Sequence, residues 1–114
     1  MQRRAAENEL LAVGLELQRA LLSYTALGGP PETLEALLRD ARTPSLKRHL
    51  RRIPIDPLTG HATWGLVRDT SGRIVAVHSL ALGHPIKNTG FPLGLSHFDN
   101  ARSYEQWTFG LVRN

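Results

Sequence analysis

Apolar positions at Leu10, Gly14, Leu17, Leu21 and Tyr24 recur at alternating four- and three-residue spacing, which is one stripe of an α-helix over residues 2–27. A second row, Leu11, Leu15 and Leu22, widens that face, so the helix is expected to be buried on more than one side. Gly28-Gly29-Pro30-Pro31 ends it, because glycine admits a left-handed C-terminal residue and proline cannot continue a helix. Residues 31–40 then read as a short second helix, with Pro31 in the first turn, Glu32 and Glu35 early and Arg39 late, as the helix dipole prefers. A further basic turn is expected over 45–51. The helical period is already running within a few residues of Met1 with no capping signal before it, so the helix is expected to continue one that starts upstream.

The period changes at Leu50-Arg51-Arg52-Ile53-Pro54-Ile55-Asp56-Pro57-Leu58-Thr59-Gly60. Each proline fixes its own φ and pushes Ile53 or Asp56 toward an extended conformation, so this segment is a stiff crossover between a helical half and a strand-rich half. Beyond it, residues 64–69 and 73–79 are β-rich and separated by Thr70-Ser71-Gly72, a hairpin signal, and residues 106–112 alternate as a third strand. Three antiparallel strands can cover one face of the long helix. The expectation is a single α+β domain over 1–114: the helix in 1–27, the short helix, basic loop and crossover in 28–60, and the sheet in 61–114. A connection of about 25 residues, 80–104, separates the second and third strands, a length usually functional, ordered by something, or flexible. Its own Phe91, Leu93, Leu95 and Phe98 could hold it.

A chain of 114 residues supports one hydrophobic core, and 41% hydrophobic with 21% charged residues is globular rather than disordered composition. The absence of cysteine excludes disulfides and thiolate zinc sites. No apolar run reaches membrane-spanning length. The charge of +4 is concentrated: Arg39, Arg42, Lys47, Arg48, Arg51 and Arg52 crowd a segment in which Asp40 is the only acid. By contrast Arg3, Arg4 and Arg19 alternate with Glu7, Glu9 and Glu16, as on a solvated helix face. The basic segment could contact phosphates with a steep salt dependence. It carries no aromatic platform for stacking bases, which argues against nucleic acid and for a solvated or subunit-bridging face.

Candidate chemistry is thin. The five histidines, His49, His61, His78, His84 and His97, show no i,i+4 pair of the kind zinc sites use. Ser79, Ser96 and Ser103 lack the glycine-flanked elbow of a hydrolase nucleophile, and no paired carboxylates flank a glycine-rich cleft, so no enzyme is expected. Trp64, Trp107 and Phe109 at strand positions belong to the core. Arg51 and Arg52 lie beside Asp56 across the proline-stiffened turn, where an Arg–Asp pair is expected to lock the crossover, contributing about 0–1 kcal/mol if exposed.

Taken in order, these pieces resemble the pseudopilins of bacterial type II secretion, especially the major one, within the type IV pilin superfamily. The matching residues are Leu21 and Tyr24 late in the helix, Thr33-Leu34-Glu35-Ala36-Leu37, Arg51-Arg52-Ile53-Pro54-Ile55-Asp56-Pro57, His78-Ser79-Leu80 and Trp107-Thr108-Phe109-Gly110. The resemblance covers nearly the whole chain. It implies a pilin-like fold and a structural fibre subunit with no enzyme activity. It further implies a periplasmic domain held in the inner membrane by an apolar helix half upstream of Met1, after a prepilin peptidase site. Its partners would be other pseudopilin subunits and proteins of the secretion platform. The major member also has a calcium site in the loop before the last strand. Here that loop offers one carboxylate, Asp99, with Asn100, Ser96 and Ser103 as neutral oxygens, where calcium takes about six to eight oxygens. No cofactor is therefore expected, with Asp99 the one calcium candidate. The residues expected to carry structure and interaction are Leu10, Leu17, Leu21, Tyr24, Arg51, Arg52, Pro54, Asp56, Pro57, Trp64 and Trp107. The alternative is a basic module that binds nucleic acid or an acidic partner through the arginines of residues 39–52.

Overall fold

The computed structural model describes residues 2–111. Its spine is α1 (Arg3–Thr25), and after a 3-10 helix at Leu34–Leu37 come the hairpin strands β1 (Gly65–Arg68) and β2 (Ile74–His78). Two further 3-10 turns, Ser96–Phe98 and Tyr104–Gln106, lead into β3 (Phe109–Gly110). The strands pair antiparallel in the order β1-β2-β3, with Gly65 opposite His78 and Val77 opposite Phe109. The fold is α+β, one long N-terminal helix packed on a small three-stranded antiparallel sheet, as the change of period predicts. Among the described residues no helix is long and apolar enough to cross a membrane.

The predicted stripe of α1 faces the sheet. Leu10, Leu17 and Leu21 are fully buried, Gly14 is buried, and Tyr24 packs partly buried against the same core. The second row is covered only in part. Leu11 is buried and Leu15 half-buried, but Leu22 is 50% exposed, so the helix is not enclosed on more than one side. The cause is the size of the sheet, whose third strand is only two residues long. Gly14 sets the distance of closest approach: a Cβ built there would fall inside the Phe109 ring. The contact is fixed laterally by Gln18, whose Oε1 accepts from the Gly110 N–H at 2.9 Å.

An aromatic cluster fills the space between α1 and the 80–104 connection. Phe98 stacks on Trp107 with ring centroids 5.3 Å apart and an interplanar angle of 7°, while Phe109 meets Phe98 edge-on at 5.1 Å and Tyr104 meets Trp107 edge-on at 5.4 Å. Leu95 and Phe98 are fully buried and Phe91 partly so, but Leu93 is fully exposed and does not hold the loop as expected.

Three elements differ from the sequence expectation. The helix over 31–40 shrinks to the four-residue 3-10 turn, with the Thr33 hydroxyl accepting from the Ala36 N–H. It stops because the Asp40 carboxylate accepts from the Arg42 N–H at 3.1 Å, a local turn that competes with helical bonding. The basic turn over 45–51 does not form; the chain doubles back, Asp40 and Lys47 exchange backbone hydrogen bonds, and the N–H groups of His49 and Leu50 both donate to the Leu37 carbonyl. The third strand begins later than predicted, since residues 104–106 are a 3-10 turn, and Val112 lies outside the described residues.

Gly14→Ala should be destabilising despite the better helix propensity of alanine. Propensity returns about 1 kcal/mol, whereas forcing a methyl into a packed aromatic contact costs about 1–3 kcal/mol. With the Phe109 ring itself fully buried, the cost falls near the upper part of that range, and a net loss of about 1–2 kcal/mol is expected in urea denaturation.

Candidate functional site

The crossover is stapled to both strands of the hairpin. Asp56 is fully buried, and its carboxylate accepts from the Leu58 N–H at 2.9 Å and from the Ser79 hydroxyl, just past β2, at 2.5 Å. Its backbone closes the turn, with Asp56 N–H donating to the His61 carbonyl at 2.8 Å and Gly60 N–H to the Asp56 carbonyl at 2.7 Å. On the other side Trp64, buried just ahead of β1, donates its indole N–H to the Pro54 carbonyl at 2.9 Å. Pro54 and Pro57 are half-buried and hold the chain on either side of Asp56.

The expected Arg51 or Arg52 pair with Asp56 is corrected by this arrangement. The carboxylate turns inward to neutral donors, and both arginines stay exposed, with no carboxylate in salt-bridge range among the described residues. With Arg48 they line one side of a groove of about 970 Å³ whose other wall is α1 at Val13 and Glu16.

Asp40 forms a second buried centre that the sequence pattern did not single out. Arg42 grips it with Nε and Nη2 donating to the two carboxylate oxygens at 2.9 Å each, and His49 Nε2 lies 2.9 Å from Oδ2. The hydrogen bonds from Arg42 hold the Asp40 carboxyl well below the usual range against the opposing push of burial, with His49 adding to them. An ionised Asp40 requires a proton on His49 Nε2, and in the neutral ring Nδ1 then accepts from the Ser23 hydroxyl, 2.7 Å away. Arg42 also donates to the Tyr24 carbonyl at 2.5 Å and lies 3.5 Å from the Tyr24 ring centroid. The sole acid in a basic run was the available signal for Asp40; nothing in the spacing pointed to Ser23 or His49.

Glu7 is the third. Expected on a solvated face, it is instead fully buried and accepts from the N–H groups of Ile86 at 2.6 Å and Lys87 at 3.0 Å and from the Tyr104 hydroxyl at 2.5 Å. Burial, then the bond to Glu7, pushes the Tyr104 phenol up to about 12, although Arg3 donates to the same oxygen at 3.2 Å. The signal was present: Glu7 extends the stripe of Leu10, Gly14, Leu17 and Leu21 at the same alternating spacing.

Asp99 is exposed, and among the described residues no group of three His, Cys, Asp or Glu side chains is placed to hold a metal ion. His97 meets the Thr108 carbonyl at 3.1 Å and His78 the Ser79 carbonyl at 2.9 Å, while His61 and His84 are exposed and apart from them.

Asp56→Ala should cost about 2–3 kcal/mol in chemical denaturation, because it strands the Ser79 hydroxyl and the Leu58 N–H. Arg51→Ala and Arg52→Ala should each stay within about 0.5 kcal/mol; an equal loss in all three would restore the Arg–Asp lock. For Asp40 the folded pKa is depressed, so its contribution is present above the ordinary value of 3.8 and is lost as pH falls below it. Asp40→Asn should therefore be less stable at neutral pH and should show a shallower loss of stability below pH 3.8 than the parent chain. No family model, curated protein or solved structure matches this chain.

Proposed function

We propose that this chain is the globular domain of a pseudopilin-like subunit, a structural component of a periplasmic fibre in type II protein secretion. The observation that carries this reading is the architecture itself: a long N-terminal helix laid along a small antiparallel sheet, joined by a proline-aspartate-proline crossover pinned to both strands of the hairpin. In such a fibre, apolar helix halves pack at the centre and globular domains form the sheath. The outward face of α1, which carries Arg4, Glu9, Ala12, Glu16 and Arg19, is open for neighbouring subunits. A domain whose irregular segments are tied down by internal hydrogen bonds suits a part that must transmit force without deforming. Subunits would be added at the inner membrane by a cytoplasmic motor acting through a membrane platform, extending a short fibre that pushes folded exoproteins toward the outer membrane. No cofactor enters this mechanism, and neighbouring subunits and the platform are the partners.

The test is the native reading frame upstream of Met1. An apolar stretch of about 20 residues continuing α1, after a short basic leader, is the expected result; a frame without one would overturn the reading. In gel filtration the present chain should elute as a monomer at all concentrations, because the main polymerising element is the apolar helix half. A tight, concentration-independent oligomer would count against it.

A further inference from the structure

The groove between α1 and the crossover has a composition that the fibre reading does not use. Three of its side chains are arginines, Arg48, Arg51 and Arg52, and Glu16 is the single acid among the lining residues. All three are exposed, and among the described residues none has a carboxylate within salt-bridge range. Between them the surface is aliphatic: Val13 and Ile53 are half-buried, and Ile55, held outward beside Pro54, is 60% exposed. The backbone adds a third feature. Among the described residues the N–H groups of Arg51, Arg52, Ile53 and Ile55 have no hydrogen-bond partner, whereas those of Leu50 and Asp56 on either side do. Prolines keep the segment from closing these donors into a helix.

We propose that this groove is a docking site for an acidic segment of a different protein. The segment lies extended along residues 51–55, its carboxylates on Arg48, Arg51 and Arg52, its aliphatic side chains on Val13, Ile53 and Ile55, and its carbonyls on the free N–H groups. Edge addition of an extended peptide uses this combination of main-chain donors and alternate side-chain pockets. Charge complementarity selects the occupant. Glu7, Asp40 and Asp56 are withdrawn into the interior, so the surface is more positive than the formal +4. A second copy of the chain is a poor fit, since it shares that charge and its exposed acids are spread over separate elements, with no run longer than the pair Glu32 and Glu35. Nucleic acid is disfavoured because the lining holds no aromatic ring for a base to stack on. The proposal stands apart from the fibre reading, and neither test decides the other.

The experiment is fluorescence anisotropy of the intact chain with a labelled peptide alternating glutamate and valine, at low and moderate salt. The comparators are a lysine-valine peptide, labelled oligothymidine and phosphatidylglycerol vesicles. Saturable binding of the acidic peptide alone, weakened by salt, is expected. The double variant R51E/R52E should weaken it by about tenfold or more. Ile55→Asp should weaken it also, and Arg39→Glu, outside the groove, should leave it unchanged. All these positions are exposed, so thermal unfolding should match the parent chain. Absence of saturable binding at low salt, an equal loss in Arg39→Glu, no loss in either groove variant, or tighter binding of oligothymidine or vesicles would each overturn the assignment.

Discussion

A carboxylate taken out of water is costly unless its oxygens are met by donors, and the irregular part of this fold is organised by burying three of them with donors in place. Outside α1 and the short sheet, backbone N–H groups have no ladder to join, yet they must be paired where they are covered. One carboxylate meets two to four donors at once. Glu7 collects two N–H groups from residues 79 and 80 positions along the chain, and so anchors the long connection to the first turns of α1. Asp56 joins the crossover to the exit of β2, and Asp40, through His49 and Arg42, ties the basic segment to the end of α1. Each centre lies between one regular element and one irregular segment, which lets little secondary structure hold residues 2–111 in place.

The aromatic cluster carries the apolar half of the same task and shows which effect wins where the two conflict. The Trp107 indole N–H is buried without a partner among the described residues, a loss of about 1–3 kcal/mol. Burying about 200 Å² of aromatic surface contributes about 5 kcal/mol, and the stacked Phe98 ring adds to it. The ring's position is therefore set by packing rather than by its N–H. Trp64 is the opposite case, buried beside a carbonyl that accepts its proton.

Periodicity made the stripe of α1, the hairpin and the burial of both tryptophans legible, because each depends on neighbours in sequence or on alternation along one element. The stiffness of the crossover was legible for the same reason, being a local property of proline. Its partner was not, since Ser79 lies 23 positions from Asp56 and nothing in the spacing favours it over Arg51 or Arg52. Charge pairing was the obvious inference, but a carboxylate that turns inward can be satisfied by neutral donors, and it then leaves nearby arginines free. The helix expected over 31–40 was cut to the 3-10 turn at Leu34–Leu37 by a side-chain effect of the same kind, the Asp40 turn, which overrides a favourable helical pattern.

Ser23, His49 and Asp40 stand in the order of a hydrolase triad, and their surroundings decide what the array does. Ser23 lies in the last turn of α1, where the backbone N–H groups are spent on helical bonds and Ala26 N–H continues the series onto the Leu22 carbonyl at 3.1 Å. The backbone N–H groups of that turn are therefore not free to pair as oxyanion donors. Negative charge developing at Ser23 would also face the carbonyl end of the helix, where the dipole is negative and repels it. That same end attracts a cation, and Arg42 occupies it, bonded to the Tyr24 carbonyl and to both oxygens of Asp40. The field that disfavours negative charge at Ser23 is thus the one that seats Arg42, and Arg42 keeps Asp40 ionised, with His49 bridging Asp40 to Ser23. The array ties the helix end to the basic segment through Ser23, the Tyr24 carbonyl and Asp40.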